Sequence, residues 1–166
     1  MITFRAFACA ALAAVGVLAC STGARAQSAM GAPLFAVLNG GNECNSAAPP
    51  AGPVCRKGDL DAIGSATVLL VPLNATTTTI CFGLTVDNLA GATAAHIHRG
   101  PSGVNGGVVV NLLPPNAPGG GNPGASSGCT NVPAATANAI RADPTSFYVN
   151  VHNGAFPNGA VRGQLH

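Results

Sequence analysis

Apolar and polar residues alternate along much of the chain with the two-residue period of a half-buried strand. The clearest case is TTICFGLTVDNL, residues 78–89. There Ile80, Phe82, Leu84 and Val86 fall on one face, and Thr79, Cys81, Gly83, Thr85 and Asp87 on the other. PLFAVLNG (33–40) predicts a strand that runs into an Asn-Gly-Gly turn, and IGSATVLLVPL (63–73) a strand ended by Pro72. AAHIH, GVVVNLL (107–113), SFYVNVH (146–152) and AVRGQLH (160–166) complete a set of about seven short strands. VPAATANAIRADP (132–144) predicts the one helix, with Thr130 or Asn131 as its cap and Pro144 as its stop. The Pro-, Gly- and Ser-rich stretch 114–128 reads as an exposed loop. No βαβ rhythm is present, so the expected fold is all-β: an antiparallel Greek-key sandwich of about seven strands with one short helix.

The first 26 residues stand apart. Arg5 precedes an apolar run from about Ala6 to Cys20, and Ala24-Arg25-Ala26 supplies a small-x-small cleavage pattern. This predicts an export signal over 1–26 and a single domain over 27–166. Val17-Leu18-Ala19-Cys20 offers a rival, lipoprotein-type processing that would anchor the chain through Cys20. The apolar run is short for a membrane span, so the chain is not expected to cross a membrane. The expected location is therefore the periplasm or the outside of the cell.

Residues 27–166 are electrically balanced. Arg56, Lys57, Arg99, Arg141 and Arg162 stand against Glu43, Asp59, Asp61, Asp87 and Asp143. With no basic cluster, nucleic acid is excluded as a partner, and an extracytoplasmic protein or surface component is expected instead. Cys44, Cys55, Cys81 and Cys129 remain after signal removal. In an exported chain they predict two disulfides, with three pairings open. The favoured pairs are Cys44–Cys55, which brackets NSAAPPAGPV, and Cys81–Cys129.

The chemistry concentrates in histidine. The chain has four, and two of them flank Ile97 in AAHIHRGPSGVNGG. In a strand His96 and His98 share a face. Tyr148, Asn150 and His152 share the polar side of SFYVNVH, as Arg162, Gln164 and His166 do in AVRGQLH. If these strands are neighbours, His96, His98 and His152 converge, with Tyr148, Asn150, Arg162 and Gln164 around them. Three imidazoles suit copper or zinc. The plainer readings are the solvent side of a sheet, or a histidine bonded to the following turn. The acidic residues show no carboxylate partner in sequence, and no nucleophile motif occurs, so no catalytic set is expected and no cofactor is required.

Five stretches, LNGGNE (38–43), GSATVLL (64–70), TICFGLTVDNL (79–89), AHIHRGPSGVNGGVVVNL (95–112) and FYVNVHNGAFPNGAVRGQL (147–165), stand in the order of a known family. In them the chain resembles the CHRD domain, named after repeats in chordin and common in exported bacterial proteins. The resemblance implies a β-sandwich-like domain and export, and leaves the molecular role open. The leading expectation is a non-enzymatic binding or structural module. The histidine pattern is also similar to that of copper-zinc superoxide dismutases. That likeness implies copper ligands at His96, His98 and His152 and a guiding arginine at Arg162, without the bridging histidine or the zinc ligands. The alternative expectation is therefore a copper- or zinc-binding metalloprotein with redox capacity.

Overall fold

The structure is a computed structural model that describes residues 31–44, 57–116 and 122–166. The expected export signal over 1–26, with Cys20, and Cys55 lie outside the described residues. Eight strands form: β1 (Leu34–Asn39), β2 (Ile63–Pro72), β3 (Thr77–Asp87), β4 (Ala92–Arg99), β5 (Val108–Leu112), β6 (Gly124–Pro133), β7 (Phe147–Asn153) and β8 (Val161–Gln164). Among the described residues one α-helix, α1 (Ala134–Ala142), joins β6 to β7.

All eight strands pair antiparallel in one sheet of order β5-β4-β7-β8-β1-β2-β3-β6. Where two separate sheets are expected, this one sheet curls until its edges nearly meet, as in a barrel. At the seam the Ser126 hydroxyl of β6 donates to the Leu113 carbonyl just beyond β5 (2.7 Å). Near-closure leaves little free edge for pairing with other chains.

The inside is filled by the alternating apolar stripes. Leu38, Val68, Ile80, Leu84, Val86, Ile97, Val149, Val151, Val161 and Leu165 are essentially inaccessible. Ala137 and Ile140 of α1 close one end of the core. Burying one such aliphatic side chain stabilises the fold by about 1.5–3 kcal/mol.

The structure corrects the sequence reading in three places. Residues 124–133 are a strand, so the expected 114–128 loop is shortened and the strand count rises from seven to eight. β6 escapes the periodicity test because its inward positions are Gly124, Ser126, Gly128, Thr130 and Val132, of which only Val132 is a large apolar residue. Its small residues leave room for a large neighbour: a Cβ on Gly128 would come within 3.3 Å of the Phe82 ring. Helix α1 begins at Ala134 rather than Val132, because Val132 and Pro133 are still paired with Thr78 and Thr77 of β3. Its N-cap is Pro133, with no side-chain cap bond, and Asn131 instead accepts from the Thr79 hydroxyl (2.8 Å).

Cys81 and Cys129 face each other in the β3–β6 register and are disulfide-bonded, as expected. The sequence separation is 48. On the chain-entropy estimate, closing a loop of that length is worth about 4 kcal/mol. Cys44 is buried and disulfide-bonded as well. Its expected partner, Cys55, is outside the described residues.

Candidate metal centre

Strands β4, β7 and β8 lie side by side, and their register sets the site. His96 stands opposite Asn150, and Asn150 opposite Arg162. His98 stands opposite Tyr148, and Tyr148 opposite Gln164. His152 stands opposite Ala94. The outward faces of three strands therefore form two polar rows, with His152 beyond their end on β7.

The three histidines do converge. Each offers a ring nitrogen, and these three atoms lie within 4.8 Å of one another. His96 Nδ1 is 3.1 Å from His152 Nε2. The His96 ring is edge-on to both others, with centroids 5.4 Å from His98 and 5.0 Å from His152.

Backbone carbonyls set two of the rings. His98 Nδ1 donates to the Gly106 carbonyl (2.9 Å), and His152 Nδ1 donates to the Pro157 carbonyl (3.0 Å). A carbonyl oxygen only accepts, so both rings carry their proton on Nδ1 and present an unprotonated Nε2. His98 Nε2 is buried and has no hydrogen-bond partner among the described residues. Burial holds all three imidazoles below the usual histidine pKa. His96 is pushed to about 4, with the neighbouring His152 and His98 adding to the effect of burial. The cluster is thus neutral at neutral pH, and His98 and His152 present an unprotonated Nε2.

Much of the polar face is enclosed, with His96 and His152 half-buried at its margin. Tyr148, Asn150 and Arg162 are 3%, 2% and 1% exposed. This overturns the solvent-side reading, because a second layer of loops covers the rows. The segment 100–107 folds back over Tyr148, whose hydroxyl accepts from the Gly106 N–H (3.2 Å). It can do so because position 106 is glycine: a Cβ there would sit 1.5 Å from the Arg99 carbonyl oxygen. The other cover is built from residues 40–44, 57–59 and 159–160. The Asp59 N–H donates to the Ala160 carbonyl (2.8 Å), and the Gly58 N–H to the Gly40 carbonyl (2.9 Å).

Arg162 anchors this second layer. Its guanidinium lies 3.5 Å from the centroid of the Tyr148 ring, which in turn stacks on His98 with centroids 4.8 Å apart. It donates to the Pro101 carbonyl (2.8 Å), Asn105 Oδ1 (3.3 Å) and Gln164 Oε1 (3.2 Å). The guanidinium is therefore engaged and enclosed, and does not stand at an entrance to guide anions, as the likeness to superoxide dismutases implies. Gln164 Nε2 donates to the carbonyls of Thr145 (2.7 Å) and Gly100 (3.0 Å), which ties the loops to β8.

Glu43 is the residue that sequence reasoning missed. It is 1% exposed, and its Oε1 accepts a short hydrogen bond from Asn150 Nδ2. Burial pushes its pKa up to about 7, against the opposing pull of Arg162, Asn150 and the Cys44 N–H. Its partners are an amide and a guanidinium more than a hundred positions away, so a search for paired carboxylates passes it over. The one signal was its place at the end of LNGGNE.

A sequence model of the CHRD domain matches residues 34–165. The chain belongs to the CHRD domain family. The match takes in all eight strands, and with them the three histidines, Glu43 and the loops that cover them. No curated protein and no solved structure matches the chain. Among the described residues of this CHRD domain no helix is long and apolar enough to cross a membrane.

Proposed function

We propose that the chain is an exported CHRD module that binds a single copper or zinc ion through His96, His98 and His152. One observation carries the reading: three histidines each offer a ring nitrogen within 4.8 Å of the others, and among the described residues the buried His98 Nε2 has no partner. An unpaired buried nitrogen costs about 1–3 kcal/mol, which a ligated ion would relieve. Carbonyl partners on the far nitrogens of His98 and His152 supply the orientation that metal-binding imidazoles require. Metal–nitrogen bonds of about 2.0–2.1 Å fit nitrogens at this spacing after small ring movements. Three neutral imidazoles suit both ions, and copper binds such a set more tightly. Three protein ligands leave a position open, which is where a partner molecule or a small ligand would meet the ion.

Metal counting tests this. Purified protein dialysed against micromolar Cu(II) or Zn(II) should hold close to one ion per chain, and His98→Ala should lose it. A wild-type protein that stays metal-free under those conditions would end the proposal.

A further inference from the structure

The metal-binding reading leaves one ring to account for. His98 and His152 already carry their protons on Nδ1, away from the cluster. His152 Nε2 is then an acceptor, so the proton in its 3.1 Å contact with His96 sits on His96 Nδ1. That is the nitrogen His96 turns toward its neighbours. An ion that takes His96 Nδ1 displaces this proton, and a neutral imidazole must then carry it on Nε2. Metal binding at this site therefore shifts the His96 tautomer and leaves the other two rings unchanged.

The new Nε2–H needs an acceptor in a half-buried place. Asn150 stands opposite His96 in the β4–β7 register, and its Oδ1 is buried with no hydrogen-bond partner among the described residues. The amide cannot turn freely, because Nδ2 donates to Glu43 Oε1. With Glu43 ionised, a flipped amide would set Oδ1 against a carboxylate oxygen, two acceptors face to face. Glu43 is itself fixed: its N–H donates to the Gly40 carbonyl (3.2 Å), and the side chain is packed against Gly159. At position 159, where φ is +135°, a Cβ would come within 2.7 Å of the Glu43 carboxyl.

We infer that Glu43 is a positioning residue of the metal centre, holding Asn150 so that its Oδ1 accepts the Nε2 proton of metal-bound His96. The inference rests on the metal-binding reading above. It explains why a buried carboxyl of the covering loop meets a half-satisfied amide that stands in one row with a ligand histidine. It also makes the chain from Glu43 through Asn150 to His96 the counterpart of the carbonyls that orient His98 and His152.

The test is ring-nitrogen NMR on the zinc-loaded protein, joined to zinc titrations of two variants. In the wild type, His96 should carry a protected proton on Nε2, while His98 and His152 keep theirs on Nδ1. Glu43→Leu removes the acceptor that orients Asn150 and should weaken zinc binding about 10- to 100-fold. Glu43→Gln keeps an acceptor oxygen and should bind close to wild type. A Leu variant that folds and binds zinc as tightly as wild type overturns the inference. So does a zinc-loaded wild type whose His96 is unprotonated at Nε2, a result that needs no variant to fold. In both cases zinc uptake by the wild type leaves the metal site standing. A wild type that takes up no zinc or copper removes both.

Discussion

On β2 and β3 the outward-facing Ser65, Thr67 and Thr85 stand exposed, and on β6 so do Ser127 and Asn131. On β7 and β8 the outward-facing Tyr148, Asn150 and Arg162 are enclosed. Both halves of the sheet show the same inside-apolar, outside-polar alternation, and both contribute to one core. They differ in what lies on the other side. Over β2, β3 and β6 there is solvent, and the polar side chains pair locally, as the Ser65 and Thr85 hydroxyls do at 2.9 Å. Over β4, β7 and β8 lie the loops, and the polar residues form a second, hydrogen-bonded interior. A buried polar group must be satisfied or it costs stability, so this half is built to tighter tolerance. The stapled half is held by a covalent bond between β3 and β6, and the covered half by Arg162 and its partners.

The sharpest way to break the comparison is Arg162→Ala. It removes the cation over Tyr148, leaves the Pro101 carbonyl and two side-chain acceptors unpaired, and strips Glu43 of the positive charge facing it. The expected loss is about 3–5 kcal/mol in urea unfolding. A loss under about 1 kcal/mol would mean that the loops, not the arginine, hold the second layer.

An intermediate effect is expected from pH. Folded Glu43 titrates near 7 and the unfolded residue at 4.5. Between those values the folded chain keeps a proton that the unfolded chain has released. The contribution of Glu43 to stability is therefore full below pH 4.5 and is lost as pH rises through 7. The histidines act in the opposite sense. Their lowered pKa values let the unfolded chain bind more protons from pH 6.5 down to about 4 at His96, so their contribution grows as pH rises. Glu43→Gln removes only the first effect. Relative to wild type, the metal-free variant should therefore gain stability steadily from pH 4.5 to 7.5 in chemical unfolding at each pH. A difference independent of pH would show that Glu43 titrates as an ordinary carboxyl.

The smallest effect belongs to the open half. Ser65→Ala deletes one exposed hydroxyl pair and should change stability by no more than about 0.5 kcal/mol. A larger loss would show that the Ser/Thr face carries structural weight of its own.

The seven strands read from alternation are present, as is the helix, because a period of two states which side of a strand is apolar, wherever apolar residues are large enough to show it. β6 was hidden for the converse reason: its inward positions are mostly small, and its place in the sheet is decided by β3 and by the Cys81–Cys129 bond. The convergence of His96, His98 and His152 was legible too, since i and i+2 share a face and β4 and β7 are neighbours. The enclosure of Arg162 and the importance of Glu43 were not. Alternation reports that a residue faces away from the main core, and it is silent on what lies beyond that face.

By itself, then, the sequence determined an all-β chain, its interior stripe, its CHRD family and the one face on which three imidazoles gather. Tertiary structure alone decided that this face is an interior, because loops from distant parts of the chain close over it. A polar side chain in water and a polar side chain in a buried row are the same letter. Their chemistry differs because burial removes water as a partner: it lowers the pKa of His96, raises that of Glu43, and makes each hydrogen bond around them a condition of the fold.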